Sequence, residues 1–170
     1  MPDNRDLSNR KPVTWKPGVL SNRQIAKLVE MGRITHEGVT TEEFAKGIDP
    51  SSFDLHVSEE CYKMVQGAIK PKQESSYRER VLSDERYVKR YPQNKDGQFL
   101  LEKGNTYVFR LCEKLKNNHL FSGKATGKST IGRIDILTRL IADQGSGEYD
   151  TVVRDGEKYE LFAEVTPITF

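Results

Sequence analysis

The sequence predicts a mainly β domain, a barrel or sandwich with one short helix near its N-terminus. Three observations support this. A single amphipathic helical pattern lies near the start of the chain, and several short segments rich in β-branched and aromatic residues follow it, separated by turn signals. The strand–helix alternation typical of a parallel sheet is missing. At 170 residues, the chain is long enough for one domain with its own core.

The N-terminal segment, residues 1–17, is polar and contains three prolines. This composition predicts a flexible arm, which leaves residues 18–170 as the domain. The helix is predicted over residues 20–32. Ser21 and Gln24 have the spacing of a capping box, and Gly32 is suited to the left-handed residue that ends a helix.

The middle of the chain holds one short predicted strand and one charged segment. Residues 33–47 are predicted to be a loop. A strand with one buried face follows, because Asp54 and His56 alternate with Phe53, Leu55 and Val57. The two polar side chains fit either a site wall or a solvated edge. Residues 62–95 are interpreted as a solvated insertion with a short helix near 76–82, because acidic residues interrupt the basic and aromatic ones that nucleic acid would need.

The second half of the chain is predicted to be β. Strands are expected at 98–101 and 106–111, separated by a turn at 102–105. A final strand is expected at 158–165. On this last strand Tyr159, Leu161, Ala163 and Val165 share one face, and Glu160, Phe162 and Glu164 share the other.

Composition excludes several functional classes. The net charge of +2 is too close to neutral to indicate a nucleic-acid or membrane surface. No apolar run approaches the roughly 18 residues of a membrane span, and the N-terminus lacks the apolar stretch of a signal peptide. We therefore expect a cytoplasmic protein in which Cys61 and Cys112 are free thiols.

The segment Gly127–Arg133 combines two glycines, two adjacent hydroxyls and basic residues, as an anion site requires. It is not a P-loop, because Ser122 stands where the first glycine of that motif is needed. A zinc site is also not predicted. The available side chains show no paired ligand spacing: His36, His56, His119, Cys61 and Cys112.

Four stretches, in this order, resemble the dCTP deaminase branch of the dUTPase-like superfamily, and most closely the N-terminal half of its two-domain bacterial form. They are Gly18–Ile25, Asp49–His56, Gly127–Asp143 and Leu161–Pro167. The resemblance implies a distorted jelly-roll subunit in a homotrimer, with active sites at subunit interfaces. It also implies zinc-free deamination of dCTP to dUTP and ammonia, with Mg²⁺ bound through the triphosphate, and no nucleic-acid or membrane partner.

The resemblance assigns roles to six residues. Ser129 and Arg133 match the serine and arginine of the family's conserved motif, Glu164 matches the glutamate that handles protons, and Ala142 matches a small residue beside the base. Neighbouring phosphate contacts are expected at Lys128 and Thr130. The chemistry agrees, because one carboxyl with a pKa raised towards neutrality can take a proton from water and later give it to the leaving amine.

Three features depart from the family pattern. Arg139 stands where the single-domain enzymes usually have histidine, and the loop 143–158 is longer. The chain ends at Phe170, before the strands and closing tail that the family continues with, so a fragment or a short form is expected. Two other functions stay open: a nucleotide-binding or structural domain without catalysis, and a dUTPase in which Asp150 would activate water.

Overall fold

The structure, a computed structural model, describes Trp15 and residues 17–116, 121–152 and 159–169. The arm predicted at residues 1–17 lies almost entirely outside the described residues. Helices are found at α1 (Asn22–Glu30), α2 (Thr41–Lys46) and α3 (Ser129–Arg133), with a π-helical turn at Arg78–Leu82. The strands are β1 (Ile34–His36), β2 (Val57–Met64), β3 (Val88–Arg90), β4 (Tyr107–Leu115), β5 (Gly123–Lys124), β6 (Ile136–Ala142), β7 (Thr151–Val152) and β8 (Tyr159–Pro167).

Six of these strands form one antiparallel sheet with the order β3-β2-β4-β8-β6, and β1 pairs with β4 beside that path. Strands β5 and β7 form a separate two-stranded sheet. The mainly β prediction is therefore confirmed. Helices were predicted only over residues 20–32 and near 76–82, so α2 and α3 were missed.

Strand β8 lies inside the sheet between β4 and β6, and both of its faces are buried. Leu161, Ala163 and Val165 belong to the first core, which also contains Leu28, Ile34, Tyr107 and Leu140. Phe162 belongs to the second core on the opposite face, which contains Met64, Tyr77, Val81, Leu82, Val88, Val108 and Ile141. The predicted alternation is confirmed for Leu161–Val165, and the face that carries Phe162 and Glu164 is buried as well.

Helix α1 forms as its capping signals predict. The Ser21 N–H donates to Gln24 Oε1 at 2.8 Å, and Ile25 and Leu28 are buried in the first core. At the other end Gly32 has φ +63°, and the Arg33 N–H donates to the Leu28 carbonyl at 2.8 Å. This is the left-handed helix end that glycine favours.

The loop predicted at 33–47 is wrong, since β1 and α2 lie there. Helix α2 begins with a capping box of its own. The Glu43 N–H donates to Thr40 Oγ1 at 3.2 Å, and the Thr40 N–H donates to Glu43 Oε2 at 3.1 Å. The Thr-x-x-Glu spacing was therefore a readable helix signal.

The strand predicted at 53–57 is also wrong, apart from Val57, which opens β2 and is 56% exposed rather than buried. The backbone of this segment bonds to other partners. The Asp54 N–H donates to the Gly47 carbonyl at 2.9 Å, and the His56 N–H donates to the Glu113 carboxylate at 2.9 Å. Phe53 forms only an isolated bridge with Ile48.

Two further predictions need correction. Residues 62–95 are not a solvated insertion, because Tyr77, Val81 and Val88 are buried in the second core. The helix predicted near 76–82 is confirmed, as the π-helical turn. No strand forms at 98–101, where Phe99 instead packs edge-on against Phe109 at 5.1 Å.

Other predictions for the second half agree with the structure. The turn at 102–105 is present, with Gly104 at φ +74°, and the strand predicted at 106–111 is β4.

Cys61 and Cys112 are buried free thiols, as predicted. Across the described ranges, none of the helices has the length and apolar character needed to cross a membrane.

Candidate active site

Glu164 lies in the middle of β8, with Val108 of β4 and Arg139 of β6 as its cross-strand neighbours. Its side chain points to the second-core side, as that of Phe162 does, and it is only 5% exposed. A carboxyl group so placed loses most of its hydration, which disfavours the charged form.

A hydrogen bond anchors this carboxyl group, since the Tyr149 hydroxyl donates to Glu164 Oε2 at 3.0 Å. Burial raises the pKa of Glu164 above its ordinary value. The hydrogen bond from Tyr149 and the positive charge of Arg139 oppose that rise, while the negative charge of Asp150 adds to it. The net direction is upward, as proton transfer near neutral pH requires.

Tyr149 is in turn packed against an ion pair. The Arg139 guanidinium carbon lies 4.6 Å from the centroid of the Tyr149 ring, in cation–π geometry. Arg139 Nε donates to Asp150 Oδ2 at 2.7 Å, and the Leu140 N–H donates to Asp150 Oδ1 at 2.7 Å. Asp150 thereby fastens the end of the loop that carries Tyr149 to strand β6.

Tyr77 supplies a second phenol on the same side of the sheet. It is fully buried, and its ring centroid lies 6.2 Å from that of Phe162. Burial, followed by the negative charges of Glu164 and Tyr149, raises the pKa of Tyr77. Its hydroxyl has no hydrogen-bond partner within the described part of the chain.

A buried carboxylate fixes the start of the π-helical turn. Asp143, at the end of β6, accepts hydrogen bonds from the Tyr77 N–H and, at 3.1 Å, from the Ser76 hydroxyl. The helical turn and the sheet are thus joined on the side of the sheet that carries Glu164.

The segment Gly127–Arg133, which contains α3 and is called the α3 motif below, lies at the surface. Ser129, Thr130 and Arg133 are exposed, and their side chains form no hydrogen bond or ion pair with any described residue. Lys128 forms an ion pair with Asp54. Gly127 connects the motif to β6, because a Cβ at this position would lie 3.3 Å from Thr138 Cβ.

Ala142 is buried in the first core, on the face of the sheet opposite Glu164. Its carbonyl accepts a hydrogen bond from the Gly145 N–H at 3.2 Å. Within the described chain, therefore, Arg139 and Tyr149 come together with Glu164, whereas the Ala142 side chain and α3 do not. The roles expected for Ala142, Lys128, Ser129, Thr130 and Arg133 stay predictions.

The two polar residues considered as a site wall have separate partners. Asp54 meets Lys128 at the edge of the α3 motif. His56 binds the fully buried Glu113, with 2.7 Å between His56 Nδ1 and Glu113 Oε1, and so fixes the entry to β2. We interpret the His56–Glu113 contact as structural, because its backbone and ring bonds together satisfy a buried carboxylate.

Among the residues that the structure describes, no group of three or more His, Cys, Asp or Glu side chains is arranged to hold a metal ion. His119, one of the side chains weighed as a zinc ligand, lies outside the described residues.

The chain is thus an antiparallel β domain that combines a buried, hydrogen-bonded carboxyl group with an exposed hydroxyl-rich motif. Residues 16–170 match the family model of the 2′-deoxycytidine 5′-triphosphate deaminase N-terminal domain. The chain belongs to this family. None of the curated proteins compared with the chain matches it.

The crystal structure of 2′-deoxycytidine 5′-triphosphate deaminase from Agrobacterium tumefaciens matches this fold with a TM-score of 0.77 and 25% sequence identity. The match covers 90% of this chain and 42% of the Agrobacterium chain, so the chain spans less than half the length of that relative. The predicted dUTPase-like fold and the resemblance to the N-terminal part of dCTP deaminase are thereby confirmed.

Sequence reasoning missed Tyr149 and noted Arg139 only as a departure from the family pattern. Tyr149 carries no local signal beyond its position after the turn that contains Gly147, which has φ +76°. Its link to Glu164 depends on the register of β6 against β8 and on the path of the loop, and neither can be read from spacing.

Proposed function

We propose that the chain is the deaminating domain of an enzyme that converts dCTP and water to dUTP and ammonia without zinc. The observation that carries this proposal is the buried Glu164 carboxyl with its raised pKa, located in a domain of the dCTP deaminase family. Burial beside Phe162 provides the desolvation that such a group needs.

In this mechanism Glu164 starts as a carboxylate and removes a proton from a water molecule as its oxygen attacks C4 of cytosine. As the new C–O bond forms, the C4–N3 double bond opens and its electron pair goes to N3, which gives a tetrahedral intermediate. The proton on Glu164 then passes to the amino nitrogen, the C–N bond breaks and ammonia leaves. The remaining proton of the former water ends on N3, so that the oxygen retained at C4 becomes the uracil carbonyl. One carboxyl group thus acts as base and then as acid.

The α3 motif supplies the other half of the site in this proposal. Lys128, Ser129 and Thr130 would hold phosphate oxygens, and Arg133 would stabilise negative charge that develops at the reacting oxygen. Ser129, Thr130 and Arg133 are exposed and without side-chain partners in the described structure, which leaves them available to a ligand or to a neighbouring subunit.

We further propose a homotrimer in which α3 of one subunit faces Glu164 of the next. The donors at Lys128, Ser129 and Thr130 suit an anion, so Mg²⁺ fits here as a cation carried by the triphosphate. It would neutralise part of the phosphate charge when bound. Neither nucleic acid nor a membrane is needed as a partner, and we propose that the protein acts on free nucleotides in the cytoplasm.

The dUTPase alternative is less well supported, because both carboxylate oxygens of Asp150 already accept short hydrogen bonds, from Arg139 Nε and from the Leu140 N–H. These contacts give Asp150 a structural role, in which it fastens the loop to β6. The second alternative, a domain that binds nucleotide without catalysis, is separated from the enzyme by a turnover measurement.

The test is ammonia release from dCTP and Mg²⁺ by the purified protein, compared with its Glu164→Gln variant. We expect the variant to lose about 10²- to 10⁴-fold in kcat, the usual contribution of a positioned acid–base group. Pyrophosphate release from dUTP would support the dUTPase, and tight dCTP binding without ammonia would support the binding domain.

The same variant gives a stability prediction with a defined sign. The folded-state pKa of Glu164 is raised, so its stabilising contribution is complete below the pKa of the unfolded chain and is lost as pH rises through the folded value. Glutamine has no charge to bury and can still accept the Tyr149 hydrogen bond. We therefore expect Glu164→Gln to melt at the same or a higher temperature than the original protein at pH 8, and a lower melting temperature would contradict the burial argument.

A further inference from the structure

We propose that Tyr149 is a positioning residue for Glu164: its hydroxyl orients the carboxyl group, and the Arg139–Asp150 ion pair holds the Tyr149 ring in place. This inference rests on the proposed function of Glu164. It goes further because the side chains that orient the catalytic carboxyl are not those to which the family resemblance assigns roles. Tyr149 and Asp150 lie outside the four matching stretches, and Arg139 lies inside one of them at a position that departs from the family pattern.

The carboxyl group of Glu164 is held at one of its two oxygens. Tyr149 binds Oε2 at 3.0 Å. Within the described structure, Oε1 accepts no side-chain hydrogen bond. Tyr149 therefore fixes one oxygen of Glu164 and leaves the other for the proton that is transferred.

Tyr149 is held in place although it lies on a loop, where the position of its side chain would otherwise vary. Its ring is covered by the Arg139 guanidinium at 4.6 Å. Arg139 is bound to Asp150 at 2.7 Å. Asp150 is bound to β6 by two further hydrogen bonds, from the Leu140 N–H to Oδ1 at 2.7 Å and from its own N–H to the Leu140 carbonyl at 2.9 Å. The loop is thus fixed to the strand that pairs with β8 at Glu164.

Several elements present charged or titratable groups around Glu164. Strand β6 presents Arg139, the loop presents Tyr149 and Asp150, and the π-helical turn presents Tyr77, with Arg80 at 6.0 Å from the Tyr77 ring. Strand β4 presents the apolar Val108. Burial, then the charge of Glu164, raises the pKa of Tyr149. Tyr149 therefore stays protonated and acts as a donor across the working pH range.

The test compares Tyr149→Phe with Tyr77→Phe, two variants that each remove one phenol oxygen from the same side of the sheet. The hydroxyl of Tyr149 binds Glu164, whereas that of Tyr77 has no partner within the described residues. The measurements are kcat and KM for dCTP across pH 5–9 and the melting temperature of each variant.

We expect Tyr149→Phe to lower kcat about ten- to a hundredfold, the loss of one hydrogen bond to a charged group, with KM changed much less. The acid limb of its pH profile moves to higher pH, because the bond that favours the carboxylate has gone. Tyr77→Phe should leave both the acid limb and kcat close to those of the original protein. An unmoved limb in Tyr149→Phe, or an equal shift in Tyr77→Phe, would overturn the proposal.

Arg139→Gln tests the role of the ion pair. It should shift the acid limb in the same direction as Tyr149→Phe. If Arg139 acts through Tyr149, the double variant loses clearly less than the product of the two single losses. Fully multiplicative losses would show that Arg139 acts on its own.

A second readout separates this proposal from the proposed function. The side-chain carboxyl carbon of Glu164 can be titrated by NMR in the original protein and in Tyr149→Phe, with no turnover required. If dCTP is not deaminated but the Glu164 titration moves to higher pH in Tyr149→Phe, the proposed function fails while the orienting contact stands. If the titration does not move, the positioning proposal fails whatever the activity.

Discussion

The Glu164 pocket and the α3 motif, which together would make the proposed active site, are built in opposite ways. The pocket consists of Glu164 with Val108 of β4, Arg139 of β6, Tyr149 of the fastened loop and the adjoining helical turn, and Glu164 is 5% exposed. In the α3 motif Ser129, Thr130 and Arg133 lie at the surface without side-chain partners among the described residues.

The difference indicates that the two regions have different roles in the proposed reaction, one in proton transfer and the other in phosphate binding. Proton transfer needs a group with a perturbed pKa, and that requires burial, which a single folded chain can supply. Binding of a phosphate chain needs donors that can be reached from solvent. In the proposed homotrimer the exposed motif of one subunit would be brought to the buried carboxyl group of the next.

The largest expected effect is on stability, in the pocket. Phe162→Ala removes a fully buried ring of the second core and should lower the free energy of unfolding by about 3–5 kcal/mol. Urea denaturation measures this loss. Ile134→Ala, at a 51% exposed apolar residue beside α3, is the matched control and should change stability by less than about 0.5 kcal/mol. Equal losses in the two variants would remove the contrast between the regions.

The next effect is on catalysis, in the exposed motif. Arg133→Ala should leave stability unchanged but lower kcat by about 10²- to 10³-fold, as expected for loss of a donor that stabilises developing charge. Arg86→Ala, which removes another exposed arginine, is the control.

Mixing variants then tests whether the two regions meet across subunits. An equal mixture of Arg133→Ala and Glu164→Gln subunits, unfolded and refolded together, should regain about a quarter of the sites if each site draws on two neighbours. A site contained in one chain would regain none.

The same contrast explains what could be predicted from the sequence. Features set by neighbouring residues were readable, such as the caps of α1 at Ser21 and Gly32, the turn at Gly104 and the alternation along β8. The burial of Glu164 could be anticipated from its flanks, Phe162 and Val165. Helix α2 was missed although its Thr40–Glu43 signal is local.

Features set by contacts between distant segments could not be read in this way. The charged segment around Tyr77 looks solvated by composition, yet Tyr77, Val81 and Leu82 are buried in the second core. The alternating pattern at residues 53–57 predicts a strand, but its N–H groups bond to a loop carbonyl and to the Glu113 side chain. The environment of Glu164 depends on Tyr149 and Arg139, which β-sheet register and loop path bring to it.

The smallest expected effect concerns Lys128, the α3-motif side chain that forms an ion pair within the described residues. Lys128 forms an exposed ion pair with Asp54, and a phosphate group bound by Lys128 would have to displace that carboxylate. Exposed pairs of this kind contribute only about 0.2–1 kcal/mol, so Asp54→Asn should lower KM for dCTP by no more than about fivefold and leave kcat unchanged. The gain should shrink as salt is added, because the competing attraction is screened. An increase in KM would mean that Asp54 holds Lys128 in the geometry that phosphate requires, and the exposed motif would then be as preorganised as the pocket.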